Sequence, residues 1–145
     1  MNVAFFIYRR PELTRQVFKA IARARPGRLF IIGDGAKAGY QLEREQVEAA
    51  RAIVSQVDWT SQVFYDFSQN NLGCKRRIVS GLNWVFSLCD DAIILEDDCL
   101  PHPDFFDFCS TLLKRYRDEP KIVSISGSGF APVRFFRLNS YAFSH

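Results

Sequence analysis

Ala92-Ile93-Ile94-Leu95-Glu96-Asp97-Asp98 reads as a short buried strand that runs directly into three adjacent carboxylates. Unpaired carboxylates are expensive to bury, so three side by side at a strand mouth imply a cation, a basic cluster or open water. In doubly wound sheets, ligands gather at the carboxyl ends of the strands, where a hard divalent cation finds oxygen ligands. From the residues alone, any of the three could ligate, and a solvated acidic loop is the plainer alternative.

Outward from this stretch, apolar runs of strand length alternate with longer segments of helical period, which predicts an α/β fold with a largely parallel, Rossmann-like sheet in three α/β/α layers. Val3 to Ile7 reads as the first strand. Pro11 suits the first turn of a helix with Leu13, Val17, Ala20, Ile21 and Ala24 on one apolar stripe, and Pro26-Gly27 stops it. Leu29 to Ile32 forms a second strand that ends in the turn Gly33-Asp34-Gly35, and a second helix carries Leu42, Val47, Ala50, Ile53 and Val54. Val63 to Phe67 is the third strand. After Gln69-Asn70-Asn71-Leu72-Gly73, a third helix turns Ile78, Leu82, Val85, Phe86 and Cys89 inward, with Lys75, Arg76 and Arg77 in its first turn. Cations there oppose the helix dipole, and a bound anion would relieve the conflict. Ala92 to Leu95 is the fourth strand, a helix with Phe105, Phe108, Cys109, Leu112, Leu113 and Tyr116 follows, and Ile122 to Ser126 reads as a fifth strand.

With 145 residues, 48% hydrophobic and 14% aromatic, the chain can bury one core and is read as a single domain over 1–145, in which 127–145 begins an incomplete or irregular C-terminal part. A formal charge of +3 is too mild to point to nucleic acid, and Arg9-Arg10 and Lys75-Arg76-Arg77 taken alone are solvated faces. Cys74, Cys89, Cys99 and Cys109 are too widely spaced for paired Cys-x-x-Cys zinc ligation. They read as reduced, mostly structural thiols, and with no secretory signal this predicts a cytoplasmic protein. The apolar run before Arg9 falls far short of the roughly 18 residues a membrane span needs.

If the strands are parallel, Arg9-Arg10, Asp34, the Asn71–Gly73 loop with its basic neighbours, and Glu96-Asp97-Asp98 emerge at one edge of the sheet. A nucleoside diphosphate with a divalent cation satisfies both signs, because phosphate oxygens engage the arginines and the cation while carboxylates hold the cation and the ribose or base. Taken singly, Arg10 reads as a surface arginine at a helix start and Asp34 as a turn residue. His102, between two prolines, reads as a solvated histidine, and the oxygen-rich setting argues against Cys99 as a soft metal ligand.

Tyr8-Arg9-Arg10-Pro11-Glu12, Gly33-Asp34-Gly35, Asn71-Leu72-Gly73-Cys74-Lys75-Arg76-Arg77 and the run Ile94 to Phe106, with Glu96-Asp97-Asp98 and Pro103-Asp104-Phe105-Phe106, together resemble glycosyltransferases of the GT-A fold. The likeness is to bacterial family-2-like enzymes, some known as haemolytic protein homologues, and more distantly to N-acetylglucosaminyltransferase I. It covers Val3 to about Gly127. The resemblance implies a metal-dependent, inverting transfer of sugar from a UDP- or GDP-sugar to an acceptor. Arg10 and Asp34 would contact the nucleotide base, and the loop with Asn71, Lys75 and Arg77 would border the nucleotide or its diphosphate. Glu96 and Asp97 would face ribose and donor sugar, and Asp98 would bind Mn2+ or Mg2+.

Two departures qualify that expectation. Gly127-Ser128-Gly129-Phe130 stands where related enzymes carry a polar Asp-Asn pair, and the family's acceptor region and usual base lie downstream of His145. Inversion needs a base for the acceptor hydroxyl, and none can be named, because Asp104 and Asp107 fall on the following helix. The alternative is therefore a truncated or degenerate domain that binds nucleotide or a partner without catalysis. A receiver-like signalling domain expects an acidic pair after the first strand, where Arg9-Arg10 stand. Missing C-terminal strands would leave an exposed apolar face that favours a homodimer or aggregation.

Overall fold

Four strands and four helices make up the computed structural model, which describes residues 1–59 and 61–127. Residues 128–145, nearly all of the C-terminal part expected to be irregular, lie outside the described residues.

The chain runs β1 (Asn2–Ile7), α1 (Pro11–Ala24), β2 (Arg28–Gly33), α2 (Gln41–Val54), β3 (Gln62–Phe67), α3 (Cys74–Phe86), β4 (Ile93–Glu96) and α4 (Phe105–Arg115). All strand pairs are parallel, in the order β3-β2-β1-β4. The chain thus builds outward from β1 through β2 to β3, then returns across the sheet to lay β4 on the other side of β1. Along that pairing Phe6 stands opposite Glu96, so the residues after β1 and after β4 leave the sheet side by side.

Parallel strands are covered on both faces, which is why β1 and β2 are apolar without alternation. Val3, Phe5, Ile7, Leu29, Ile31, Ile93 and Leu95 point to one face and pack with Val17, Phe18 and Ile21 of α1, Ala50, Ile53 and Val54 of α2, and Phe106 and Cys109 of α4. Ala4, Phe6, Phe30 and Ile32 point to the other and meet Val85, Ile78 and Leu82 of α3. The result is the expected three-layer α/β/α arrangement. Among the described residues, no helix is long and apolar enough to cross a membrane.

Several local expectations need correction. Among the described residues Ile122 to Ser126 pairs with no strand: Val123 is 96% exposed, and Gly127 lies so close to the Phe105 ring that a Cβ there would sit 2.4 Å from it. Alternating apolar residues make a strand only where a sheet edge receives them, and this segment turns toward α4 instead. The inward stripe of α1 is Thr14, Val17, Phe18 and Ile21, with Leu13 turned outward, and that of α2 exposes Leu42 and buries Glu43. Phe86, expected inside, is also exposed. The stop of α1 falls, as expected, just ahead of Pro26-Gly27: Arg25 takes the left-handed conformation, φ 46°, and its N–H bonds back to the Ile21 carbonyl. All four cysteines are free, but Cys74 and Cys99 are exposed, so a packing role fits only Cys109 and, in part, Cys89.

One glycine sets how closely α3 lies on the sheet. A Cβ at Gly81 would sit 2.7 Å from the Phe6 ring and 2.8 Å from Ile32 Cγ2. Gly81→Ala is expected to lower stability in urea unfolding by about 1–3 kcal/mol through overpacking, exceeding the roughly 1 kcal/mol that alanine brings to a helix interior. Gly27→Ala, where nothing lies within 4 Å of the added carbon, should leave the midpoint nearly unchanged.

Candidate functional site

Because β4 was laid on the far side of β1, the strand order reverses between them, and a crevice opens where the loops leaving β1 and β4 part. A cleft of about 290 Å³ lies there, among Tyr8 and Arg10 after β1, Asp34 and Lys37 after β2, Asn71, Gly73, Cys74 and Arg77 around the start of α3, and Glu96 and Asp97 at the end of β4. It stands at the small end of the size range of small-molecule sites, about 300–1,000 Å³. A larger recess of about 390 Å³ lies at the opposite, amino ends of the strands, between Asn2, Arg28, Asp91 and Arg117. There Asp91 accepts from Arg117 at 3.2 Å and its carbonyl from Asn2 at 2.9 Å, a tie between the starts of β1 and β4.

The acidic triplet divides three ways. Glu96 is exposed and free of side-chain partners among the described residues. Asp97 is only 2% exposed: its Oδ2 accepts the Tyr8 backbone N–H at 3.1 Å and its Oδ1 meets the Arg10 guanidinium at 2.8 Å. Burial pushes the Asp97 carboxyl above its ordinary range, while the Tyr8 N–H and the Arg10 charge pull it back. Asp98 is 42% exposed, and its Oδ2 pairs with the same guanidinium at 2.6 Å. Arg10 loses some hydration, but the two carboxylates outweigh that loss and raise its already high pKa.

Asp34 is buried, and its carboxylate is fully engaged by the chain itself. Oδ1 accepts the Gly35 and Leu72 N–H groups at 2.9 Å, and Oδ2 accepts the Gly73 N–H at 2.9 Å and the Asn71 amide at 3.2 Å. The turn after β2 is thereby fastened to the start of α3, and the two backbones approach so closely that a Cβ on Gly35 would lie 2.6 Å from Asn70. The anion that the cationic first turn of α3 calls for is partly Asp34. Of that turn, Lys75 and Arg76 face solvent away from the cleft. Arg77 is buried against it, with its charge matched by Asp66 at 2.6 Å.

A second hub was missed by sequence reading. Glu43, on α2, accepts the Tyr8 hydroxyl and the Lys37 N–H, and pairs with Arg9 at 2.8 Å; the Tyr8 oxygen in turn accepts from Asn71 at 2.9 Å. The Tyr8 hydroxyl bond, with the Lys37 N–H and Arg9, holds the Glu43 carboxyl below its usual range. Burial first, then the bond to Glu43 and the nearby carboxylates, push the Tyr8 phenol up, so it stays protonated as a donor. An acid at a helix start next to Leu42 carries no sequence signal for this role.

Arg10, Asp34, Asn71, Arg77, Glu96 and Asp97 thus border one cleft, Asp98 joins it through Arg10, and Lys75 does not. No family model, curated protein or solved structure matches the chain.

Two measurements probe this framework. Asp34→Ala strands three backbone donors, those of Gly35, Leu72 and Gly73, and should lower unfolding stability by about 3 kcal/mol, with Asp34→Asn recovering only part because its amide meets donors with a donor. Because the folded Glu43 carboxyl is lowered, its stabilisation is fully present above pH 4.5 and is lost as pH falls through its folded value. The urea midpoint of Glu43→Gln should therefore fall less steeply than wild type below pH 4.5. An unchanged acid slope would mean that the carboxylate is not held by this network.

Proposed function

We propose that the chain binds a nucleoside-diphosphate sugar, UDP- or GDP-linked, with a divalent cation, and supplies the donor side of a glycosyltransferase that works with inversion. The observation that carries this reading is the crevice between β1 and β4, where Arg10, on one side, and Glu96 and Asp97, on the other, border a single cleft that Asp98 joins through its pair with Arg10. A diphosphate takes the cationic side and ribose or sugar hydroxyls the acidic side, each with charge-assisted bonds.

The residues fit a hard divalent cation, Mn2+ or Mg2+, of the kind that arrives with its substrate. Asp98 offers a half-exposed carboxylate, and no group of three ligating side chains is assembled among the described residues. Such ions are commonly held by one or two carboxylates, with substrate phosphates and water completing the shell. When bound at Asp98, the ion would supply Lewis-acid stabilisation of the departing diphosphate. The chain's own part is then positional. Arg10 and the exposed Lys37 offer cations to the phosphates, Tyr8, Asn71 and the clasped Asp34 shape the inner wall, and Glu96 keeps a free carboxylate for ribose or sugar.

A second reading, a nucleotide-binding domain without turnover, is favoured by the engagement of the other cleft acids. Asp34 is saturated by donors, and Asp97 and Asp98 are tied to Arg10, which leaves them unsuited to remove a proton from an acceptor. The acceptor and a homodimer partner belong to the same proposal, without a surface of their own.

Calorimetry with UDP and GDP, with and without Mn2+, tests the donor site. One of the two should bind only weakly without the ion, and Asp98→Ala should weaken the metal-dependent binding about tenfold or more, the loss of roughly 1.4 kcal/mol. Binding that is absent, or indifferent to both metal and Asp98, sinks the proposal. Release of sugar from a nucleotide-sugar panel by the chain alone separates the enzyme from the inert domain.

A further inference from the structure

One guanidinium bridges Asp97 and Asp98, the second of which would hold the cation. The Arg10 nitrogens reach Asp97 at 2.8 Å and Asp98 at 2.6 Å, from the residue that caps α1 with a non-helical backbone, φ −119°, ψ 70°. The two carboxylates differ in freedom. Asp97 is buried and fixed by the Tyr8 N–H, whereas Asp98 is 42% exposed and Arg10 itself 46% exposed. The Asp98 pair therefore lies on the solvent side of the bridge, where an ion pair is weak enough to exchange. A divalent cation approaching Asp98 meets a positive charge already seated on its Oδ2.

We infer that Arg10 is a displaceable counter-cation: it holds Asp98 closed to metal in the empty cleft and releases it when a diphosphate offers the guanidinium a new partner. Phosphate oxygens present the paired acceptors that a guanidinium fork engages with two parallel bonds, so Arg10 exchanges carboxylate for phosphate with little loss. Metal and nucleotide then assist each other, because each removes the charge that opposes the other. By linkage the assistance is reciprocal. The inference rests on the donor-site proposal and adds to it an order of events: the cation alone is kept out.

The test is the coupling between ligands. Mn2+ is titrated by calorimetry, and free Mn2+ is followed by its paramagnetic resonance signal, with and without UDP or GDP, after allowance for chelation by the nucleotide alone. Wild type should bind Mn2+ weakly alone and at least about tenfold more tightly with nucleotide, within the usual range of coupling between sites. In Arg10→Ala, Mn2+ alone should bind about tenfold more tightly, and the enhancement by nucleotide should shrink by a similar factor. Arg10→Lys keeps the charge but cannot bridge two carboxylates, and should fall between; it also serves if the alanine variant does not fold.

If Arg10→Ala tightens Mn2+ equally with and without nucleotide, Arg10 is a fixed charge and the inference is overturned while the donor site stands. Unchanged Mn2+ affinity in both variants overturns it as well. Wild type that takes no nucleotide even with Mn2+ removes the donor-site proposal and this inference together.

Discussion

Asp97 carries the constraint on which the rest of the site depends. A carboxylate almost wholly withdrawn from water must be matched locally, since an unpaired buried charge is among the most destabilising features a fold can carry. The match comes from two groups on one neighbouring segment, the Tyr8 N–H and the Arg10 guanidinium. Both are in reach only because β4 lies directly beside β1 with Glu96 opposite Phe6. The return crossing of the chain and the charge balance of the cleft are thus one arrangement: any other neighbour for β4 would leave Asp97 unpaired.

Around that pair, the rim is built from bonds between side chain and backbone more than from ion pairs in water. Asp34 fastens the turn after β2 to the loop before α3, and Glu43 fastens α2 to the segment after β1. Asn71 joins the two hubs by donating to both Asp34 and the Tyr8 hydroxyl. Each hub is a buried acid whose lone pairs are taken by fixed donors, so neither is left to attract solvent ions. Four loops that would otherwise wander are held in one geometry, the kind of support a preformed binding site requires.

Much of this was legible beforehand, and the reasons are physical. β1 and β2 announce themselves because central parallel strands must be apolar on both faces, and Ala92 to Asp98 stands out because carboxylates at such a strand mouth need an explanation. Pro11 and Pro26 bracketed α1 to within a residue or two. What escaped were facts of pairing in space. Ile122 to Ser126 has the composition of a strand, yet whether a sheet edge accepts it is decided elsewhere in the chain. Glu43 looks like any helix-surface acid until Tyr8 and the Lys37 N–H are brought against it, and the face of α2 turns by one residue to admit it. Asp34 borders the cleft, but its four donors come from residues up to Gly73, a distance no local pattern spans. Arg77 and Lys75, two positions apart on a helix, look equivalent in sequence and point in unlike directions.

The charges left after this internal pairing narrow the kind of ligand the cleft suits. Arg9 is matched by Glu43 and Arg77 by Asp66, so neither is free to attract an anion. The Asp97–Asp98 pair shares the single charge of Arg10, Glu96 is unmatched among the described residues, and Lys37 stands exposed at the rim. A lone anion would enter a crevice whose inner wall is net negative, and a lone cation would meet the guanidinium already on Asp98. A diphosphate carrying its own divalent cation presents both signs at once. In the proposed donor site it would place negative oxygens toward Arg10 and Lys37 and positive charge toward Asp98, so that each half would be attracted where the other alone would be opposed.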